Sequence, residues 1–260
     1  MRAHAELTAS APPPGRAAAE GWRLTWVRDA PPFAFRPTPE AVYLVGTAAS
    51  PVGQDELSLA VTVEKGARLT VRSVASTIAW ASSGSRVHME IDVQAGAVLD
   101  WQLQPMVVSR SCSLVQRCVV HMAAGASLRW GEEVVLGRYK EEPGRLTLRL
   151  DVDIDGAPLL RHQLDVGPGA SGWDGPAVLG GNRAVGLVLT AGAGDAPGEE
   201  ERARGPKPPA SQTAGDGWAA MPLEGPGHLV QAAAPNIALL REKLRLAEAA
   251  PRCASEDGRD

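Results

Sequence analysis

Three stretches decide the fold: VTVEKGARLTV at Val61–Val71, IDVQAGAVLDW at Ile91–Trp101 and VHMAAGASLRW at Val120–Trp130. A fourth, shorter copy, VDIDGAPLL, lies at Val152–Leu160. Their glycines, Gly66, Gly96, Gly125 and Gly156, are 30, 29 and 31 residues apart. Each is followed by Ala, and the third residue after each is Leu: Leu69, Leu99, Leu128 and Leu159. A constant period of this length is the signature of stacked supersecondary units, none of which can bury its own apolar face. Within each copy apolar and polar residues alternate. Val61, Val63, Leu69 and Val71 take one parity, while Thr62, Glu64, Arg68, Thr70 and Arg72 take the other. Period two with polar alternates means strands with one wet face. The glycine then belongs at the corner between two strands, where the backbone needs positive φ. The expected fold is all-β: a β-helix-like stack of repeats of about 30 residues, with Leu69, Leu99, Leu128 and Leu159 in one buried ladder. The fourth copy has one residue fewer before its glycine, so its corner should be tighter.

Outward from the repeats, WRLTWVRD from Trp22 and AVYLVGT at Ala41–Thr47 read as strands, and SPVGQD at Ser50–Asp55 as a turn. Further strand candidates are Val74–Trp80, Leu103–Val108, Val134–Tyr139, Arg145–Ile154 and Arg183–Thr190. Gly167–Gly181 reads as irregular loop. Residues 1–20, rich in Ala and Pro, are expected to be disordered. The β domain then covers 21–191, a Gly/Pro/charge-rich linker 192–217, a C-terminal segment 218–250, and a disordered tail 251–260. The one helix expected is Pro235–Ala249, with Pro235 in its first turn and Ile237, Leu240 and Leu244 on one face. That face packs either on the chain's own sheet or on a partner.

The bulk properties exclude several functions. The chain has 260 residues, 44% of them apolar, and a net charge of −4. Nothing basic argues for nucleic acid, and no apolar run is long enough to span a membrane. The N-terminal stretch lacks the apolar core of a secretory signal. Three cysteines, Cys112, Cys118 and Cys253, make no disulfide framework, so the chain reads as cytoplasmic and reduced. GGNRAVG at Gly180–Gly186 lacks the Lys-Ser/Thr of a phosphate loop, and neither GxSxG nor HExxH occurs.

Cys112, Cys118 and His121 lie within ten residues of one another, but their spacing is not that of a zinc site. On a strand, Cys118 and His121 would face opposite sides. Buried thiols and an exposed imidazole are the simpler reading. His88 and His162 have no paired ligand in sequence. Trp80, Trp101 and Trp130 are read as core. Among the carboxylates, Glu132 shares the parity of Leu128 and Trp130. Alternation therefore points it inward, where it must be paired, bind a cation or stand beside a wet passage. Alternatively a bulge at Gly131 turns it out. Asp55 closes the SPVGQD turn and fits an ordinary turn Asp. Arg138, Glu141 and Glu142 read as a charged, solvated turn.

LVGTAASPVGQDELSLAVTVEKGARLTVRSVAST, followed by GAVLDW, GASLRWGEEVVLGR and GWDGPAVLGG, resembles the urease accessory protein UreD (UreH) family in its actinobacterial form. The match covers roughly residues 22–190 and, more loosely, the C-terminal helix. The resemblance implies a scaffold without catalysis, acting in nickel delivery to urease. Its implied partners are UreF, through UreF the GTPase UreG, and apo-urease. It implies no stably bound cofactor, only nickel in transit along an internal passage. On it, Asp55 holds the place of the family's turn Asp, with Gln54 where Gly is common. Glu132, Glu133 and Leu136-Gly137-Arg138 match a Glu…LGR stretch, and Glu142 the Glu that follows. Leu103-Gln104-Pro105-Met106 lacks an acid that the family often carries there. Glu132, Asp55 and Glu142 are thus the candidate nickel-path residues, since oxygen donors pass a cation on where thiolates would trap it. The rival readings are a metal-dependent, cupin-like enzyme and a structural β-solenoid adaptor with no metal role.

Overall fold

The computed structural model describes residues 1–13, 22–192 and 212–249. In chain order the strands are β1 (Arg2–Ser10), β2 (Arg23–Arg28), β3 (Phe33–Pro37), β4 (Val42–Gly46), β5 (Glu56–Val63) and β6 (Arg68–Ser73). Then come β7 (Thr77–Ala79), β8 (Ser85–Val93), β9 (Val98–Gln102), β10 (Met106–Val108), β11 (Ser113–Met122) and β12 (Ser127–Leu136). The last are β13 (Arg145–Ile154), β14 (Ala157–Val166), β15 (Ala184–Gly192), β16 (Thr213–Gly215), β17 (Trp218–Pro222), β18 (Gly227–Ala234) and helix α1 (Ile237–Ala249). Two sheets face each other. The first runs β14-β13-β11-β8-β5-β1-β2, and the second β16-β17-β18-β15-β12-β9-β6-β4-β3. The chain climbs between them one turn per repeat, so the expected all-β solenoid is what forms.

Each turn places one long strand in the first sheet, rounds a corner, and places the next strand in the second. At the corners Ala67, Ala97 and Ala126 donate their N–H to the carbonyls of Glu64, Gln94 and Ala123. Gly66, Gly96 and Gly125 sit at φ of 73°, 66° and 76°. Positive φ at the third position alone is a type II turn, which favours glycine. Stacking the corners aligns the strands in parallel register. Val61, Ile91, Val120 and Val152 are neighbours across the first sheet. Leu69, Leu99 and Leu128 are neighbours across the second, and all three are fully buried. One step on, Trp101 and Trp130 stack with ring centroids 5.3 Å apart and planes 3° from parallel.

The fourth copy departs from the expected ladder. Leu159 lies on β14, at the bulge of an antiparallel hairpin with β13 in the first sheet, and is only partly buried. The reason is local. Asp155 and Gly156 both have positive φ, 48° and 77°. That pairing makes a type I′ turn, which folds a strand back on itself instead of passing it to the opposite sheet. The dipeptide Asp-Gly between alternating apolar residues is the hairpin signal that the repeat match concealed.

The N-terminal expectation is also corrected. Arg2–Ser10 is not disordered: it is β1, parallel to β5 with Ala5 opposite Leu59, Leu7 opposite Val61 and Ala9 opposite Val63. Its inward residues are small, so composition hid an alternation that Ala5, Leu7 and Ala9 carry, each buried. The rest of the expected N-terminal disorder, most of the 192–217 linker and the 251–260 tail lie outside the described residues, although Thr213–Gly215 within that linker is strand. The helix begins two residues later than expected. Asn236 caps it, accepting the Leu239 N–H at 3.0 Å, and Pro235 precedes the cap. Leu240, Leu244 and Ala247 pack on β15, β17 and β18 through Ala184, Val188, Ala220 and Val230. The apolar face of α1 is thus covered by the chain's own sheet. Gly186 permits the close approach: a Cβ there would stand 3.3 Å from methyls of both Leu240 and Leu244.

Candidate functional site

The strand breaks in the second sheet create the site. β6 stops at Ser73 and the chain resumes pairing at β7, while β9 stops at Gln102 and resumes at β10. Both breaks fall at the same height of successive turns, and the Gln104 N–H donates to Ser73 Oγ at 2.9 Å between them. β12 runs through that height unbroken, pairing with β9 as far as Gly131 and with β10 from Val134. Glu132 and Glu133 therefore stand beside a slot in the sheet. Pro105 cannot donate to a ladder, which favours a break there.

The slot opens into a cavity of about 340 Å³ between the sheets. Trp101, Trp130, Met89, Gln116 and Glu132 are among its walls, and it reaches the surface at Val74 and Trp80. A second, narrow cavity of about 40 Å³ lies between β12, β13, β14, β15 and β18, with Glu132, Leu148, His162, Val185 and Gln231 among its walls. Glu132 lines both.

Parity holds along β12: Leu128, Trp130, Val134 and Leu136 are buried on the face that carries Glu132, so no bulge turns it outward. Among the described residues its one side-chain hydrogen-bond partner is an amide. Gln116 on β11, in the opposite sheet, donates Nε2 to Glu132 Oε1 at 2.8 Å. Glu132 keeps some accessible surface because it lines cavities, yet its carboxyl lies deep among protein atoms. Burial pushes its pKa from 4.5 up to about 7, with the Gln116 bond pulling weakly the other way. Close by, the Trp130 indole N–H is buried and makes no hydrogen bond among the described residues. His162 on β14 lies opposite Leu150, its inward parity shared with Leu164 and Val166. Its Nε2 is 2.6 Å from the Gln231 Nε2 of β18, and burial lowers its pKa, favouring the neutral ring. The site is a mostly apolar space with a carboxyl, an imidazole and neutral amides on its walls.

The urease accessory protein UreD family matches residues 28–256. This chain belongs to that family. Among relatives, a urease accessory protein UreD of Streptomyces coelicolor is 41% identical over 207 residues, covering 78% of each chain. UreD 3 of Streptomyces griseus subsp. griseus is 38% identical over 256 residues, 94% of each. UreD of Frankia casuarinae is 39% identical over 221 residues, 78% of this chain and 69% of its own. UreD proteins are non-catalytic chaperones of urease maturation, which removes the cupin-like enzyme reading.

The other two candidate path residues of this UreD chain, Asp55 and Glu142, lie off the walls of the two cavities. Asp55 is 3% exposed and fully engaged. It accepts the Met1 ammonium at 2.8 Å, Ser50 Oγ at 2.7 Å and the Val52 N–H at 3.0 Å. Burial raises its pKa, but those bonds outweigh it and hold the carboxyl below its usual value. Glu142 is on the surface, 3.9 Å from Arg183. Glu141 takes the fork of Arg138, which lowers its pKa to about 2, and Arg138 lies over Trp80.

Cys118 faces inward and His121 outward, as alternation on a strand requires. Burial, then the charges of Glu132 and Asp151, raise the Cys118 thiol well above its usual value, so it stays protonated and a poor metal ligand. Among the described residues no three His, Cys, Asp or Glu side chains converge in a way that could hold a metal ion. Sequence reading passed over Gln116 and Gln231 and set His162 aside for want of a paired ligand. For His162 the signal was available: it alternates with Leu164 and Val166. Gln116 carries the same mark, alternating with Leu114 and Cys118, although only the facing of the sheets brings either glutamine to its partner.

Proposed function

We propose that this chain is the nickel-delivery scaffold of urease maturation in the cytoplasm. It acts in a complex with UreF, and through UreF with UreG, docks on apo-urease, and passes Ni²⁺ through the space between its two sheets. The observation that carries the reading is Glu132. It is an inward carboxyl at the junction of two cavities, held by one neutral amide instead of an arginine or lysine. A cation can displace the Gln116 N–H at the cost of one hydrogen bond, about 0.5–1.5 kcal/mol net, whereas breaking a buried ion pair costs about 3–5 kcal/mol. Oxygen donors that are few and displaceable bind a first-row divalent ion weakly, as transit requires. The unbonded Trp130 N–H adds a donor for the water that a hydrated ion carries. Nickel is cargo here, and the nucleotide chemistry belongs to the partner GTPase. Asp55 and Glu142 are secondary to this path: Asp55 secures the turn beside the mouth, and Glu142 stands on the outer surface.

Glu132→Gln tests it, since the variant keeps the shape and the bond to Gln116. The complex with UreF should form as before, while nickel incorporation into apo-urease at limiting nickel slows at least several-fold. Full activation by the folded variant refutes the path and leaves the reading of a structural adaptor.

A further inference from the structure

The carboxyl and the imidazole that line the narrow cavity, Glu132 and His162, are occupied in the same way, and each bond spans the two sheets. Gln116 of the first sheet donates to Glu132 of the second. At the far end of the narrow cavity Gln231 of the second sheet faces His162 of the first, amide nitrogen to ring nitrogen at 2.6 Å. In this amide orientation the Gln231 nitrogen can only donate, so the ring Nε2 accepts and the proton is on Nδ1. The imidazole lone pair is thus formed, unprotonated and parked on a neutral amide. His162 and Gln231 are each partly exposed, so they stand between the narrow cavity and solvent. Among the described residues β14 is the last strand of its sheet.

We propose that His162 and Gln231 form a latch closing the narrow end of the passage: Ni²⁺ coming from Glu132 takes the imidazole Nε2 by displacing the Gln231 amide. The step is a ligand exchange. One N–H···N hydrogen bond and one Ni–O bond, to Glu132 or to a water the ion carries, break; one Ni–N coordinate bond forms, and no proton moves because Nε2 is already bare. Imidazole binds first-row divalent ions well, while a glutamine amide competes only as a hydrogen-bond donor. When the ion leaves, Gln231 recaptures the nitrogen and the two sheets are joined again. The latch rests on the reading that nickel travels inside the chain, and it adds the residue that handles the ion after Glu132.

Two variants separate the latch from a structural role. His162→Gln removes the imidazole and keeps a polar partner for Gln231. Gln231→Leu frees the nitrogen. Nickel sulfate is titrated into the full-length chain while the histidine ring signals are followed by NMR, with His162 assigned from its variant. The ring of His162 should broaden by paramagnetic contact in the wild type. In Gln231→Leu it should do so at about 3- to 10-fold lower nickel, the release of one hydrogen bond. In parallel, His162→Gln should slow nickel incorporation into apo-urease several-fold with an unchanged melting temperature. If His162 does not broaden, or if His162→Gln delivers nickel at the full rate, the latch is wrong. Glu132→Gln run beside it tells the two failures apart. A slow Glu132→Gln with a normal His162→Gln overturns the latch and keeps the passage, whereas full rates in both overturn the passage itself.

Discussion

Glu132→Gln should stabilise the protein, and only at neutral to alkaline pH. Burial holds the carboxyl at a pKa of about 7 against 4.5 for the free group. The folded state therefore binds a proton that the unfolded chain has released between those two values. For an acid with a raised folded pKa the native state is penalised when the group is ionised. The penalty is absent below about pH 4.5, grows through the interval, and is complete above about pH 7. Its full size is about 3 kcal/mol, from 1.36 kcal/mol for each tenfold change in acidity. The neutral amide of Gln carries no such penalty and still accepts from Gln116. Urea unfolding of both proteins at pH 5 and pH 8 isolates the effect, because every other titrating group cancels in the comparison. At pH 8 the variant should be more stable by about 3 kcal/mol, and at pH 5 by less than about 1 kcal/mol. A variant that is equally or less stable at pH 8 would show that the carboxylate is paired or fully hydrated there, and the inward, amide-bonded Glu132 would be untenable. A gain in stability together with a loss of nickel transfer is the trade-off expected of a functional group kept in a costly place.

Gly156→Ala should cost about 1–2 kcal/mol, because φ of 77° in a type I′ turn suits no Cβ, and the loss should appear in thermal melts as a lower midpoint. Gly186→Ala should loosen α1. The added Cβ would stand 3.0 Å from the Glu132 carbonyl oxygen and 3.3 Å from two leucine methyls, so amide exchange should accelerate along Ile237–Ala249 ahead of the rest of the fold. Arg241→Ala should destabilise by about 1 kcal/mol or less. It removes the fork onto Glu133 that ties the helix to β12, bonds of 2.8–3.1 Å at a partly exposed site, and a double-mutant cycle with Glu133→Ala would measure it.

How far the sequence reached depended on whether a feature was local and periodic. The 30-residue spacing, the corner glycines and the strict alternation are properties of consecutive residues, and the solenoid, its three-step leucine ladder and the inward side of β12 follow from them. Glu132 was legible for the same reason: parity is carried along a strand without regard to its neighbours. Two local signals were overridden in the reading. Asp155-Gly156 is a hairpin signal that the match to the other repeats masked, and β1 alternates with residues too small to announce a core.

The sequence could not reach contacts between the two sheets. Gln116 and Glu132 are sixteen residues apart and His162 and Gln231 sixty-nine. Each pair meets only because the two sheets place their inner faces opposite one another. The slot depends likewise on two strand breaks falling at one height, with β12 continuing across both, and no single stretch of chain encodes that coincidence. The helix shows the same division. Its apolar face follows from Leu240 and Leu244, but that the face lies on β15 and β18 was decided by a bare Gly186 on a strand some fifty positions earlier in the chain. Periodicity fixes which way a side chain points. What it then meets depends on long-range packing, where residues far apart in the chain share one small volume.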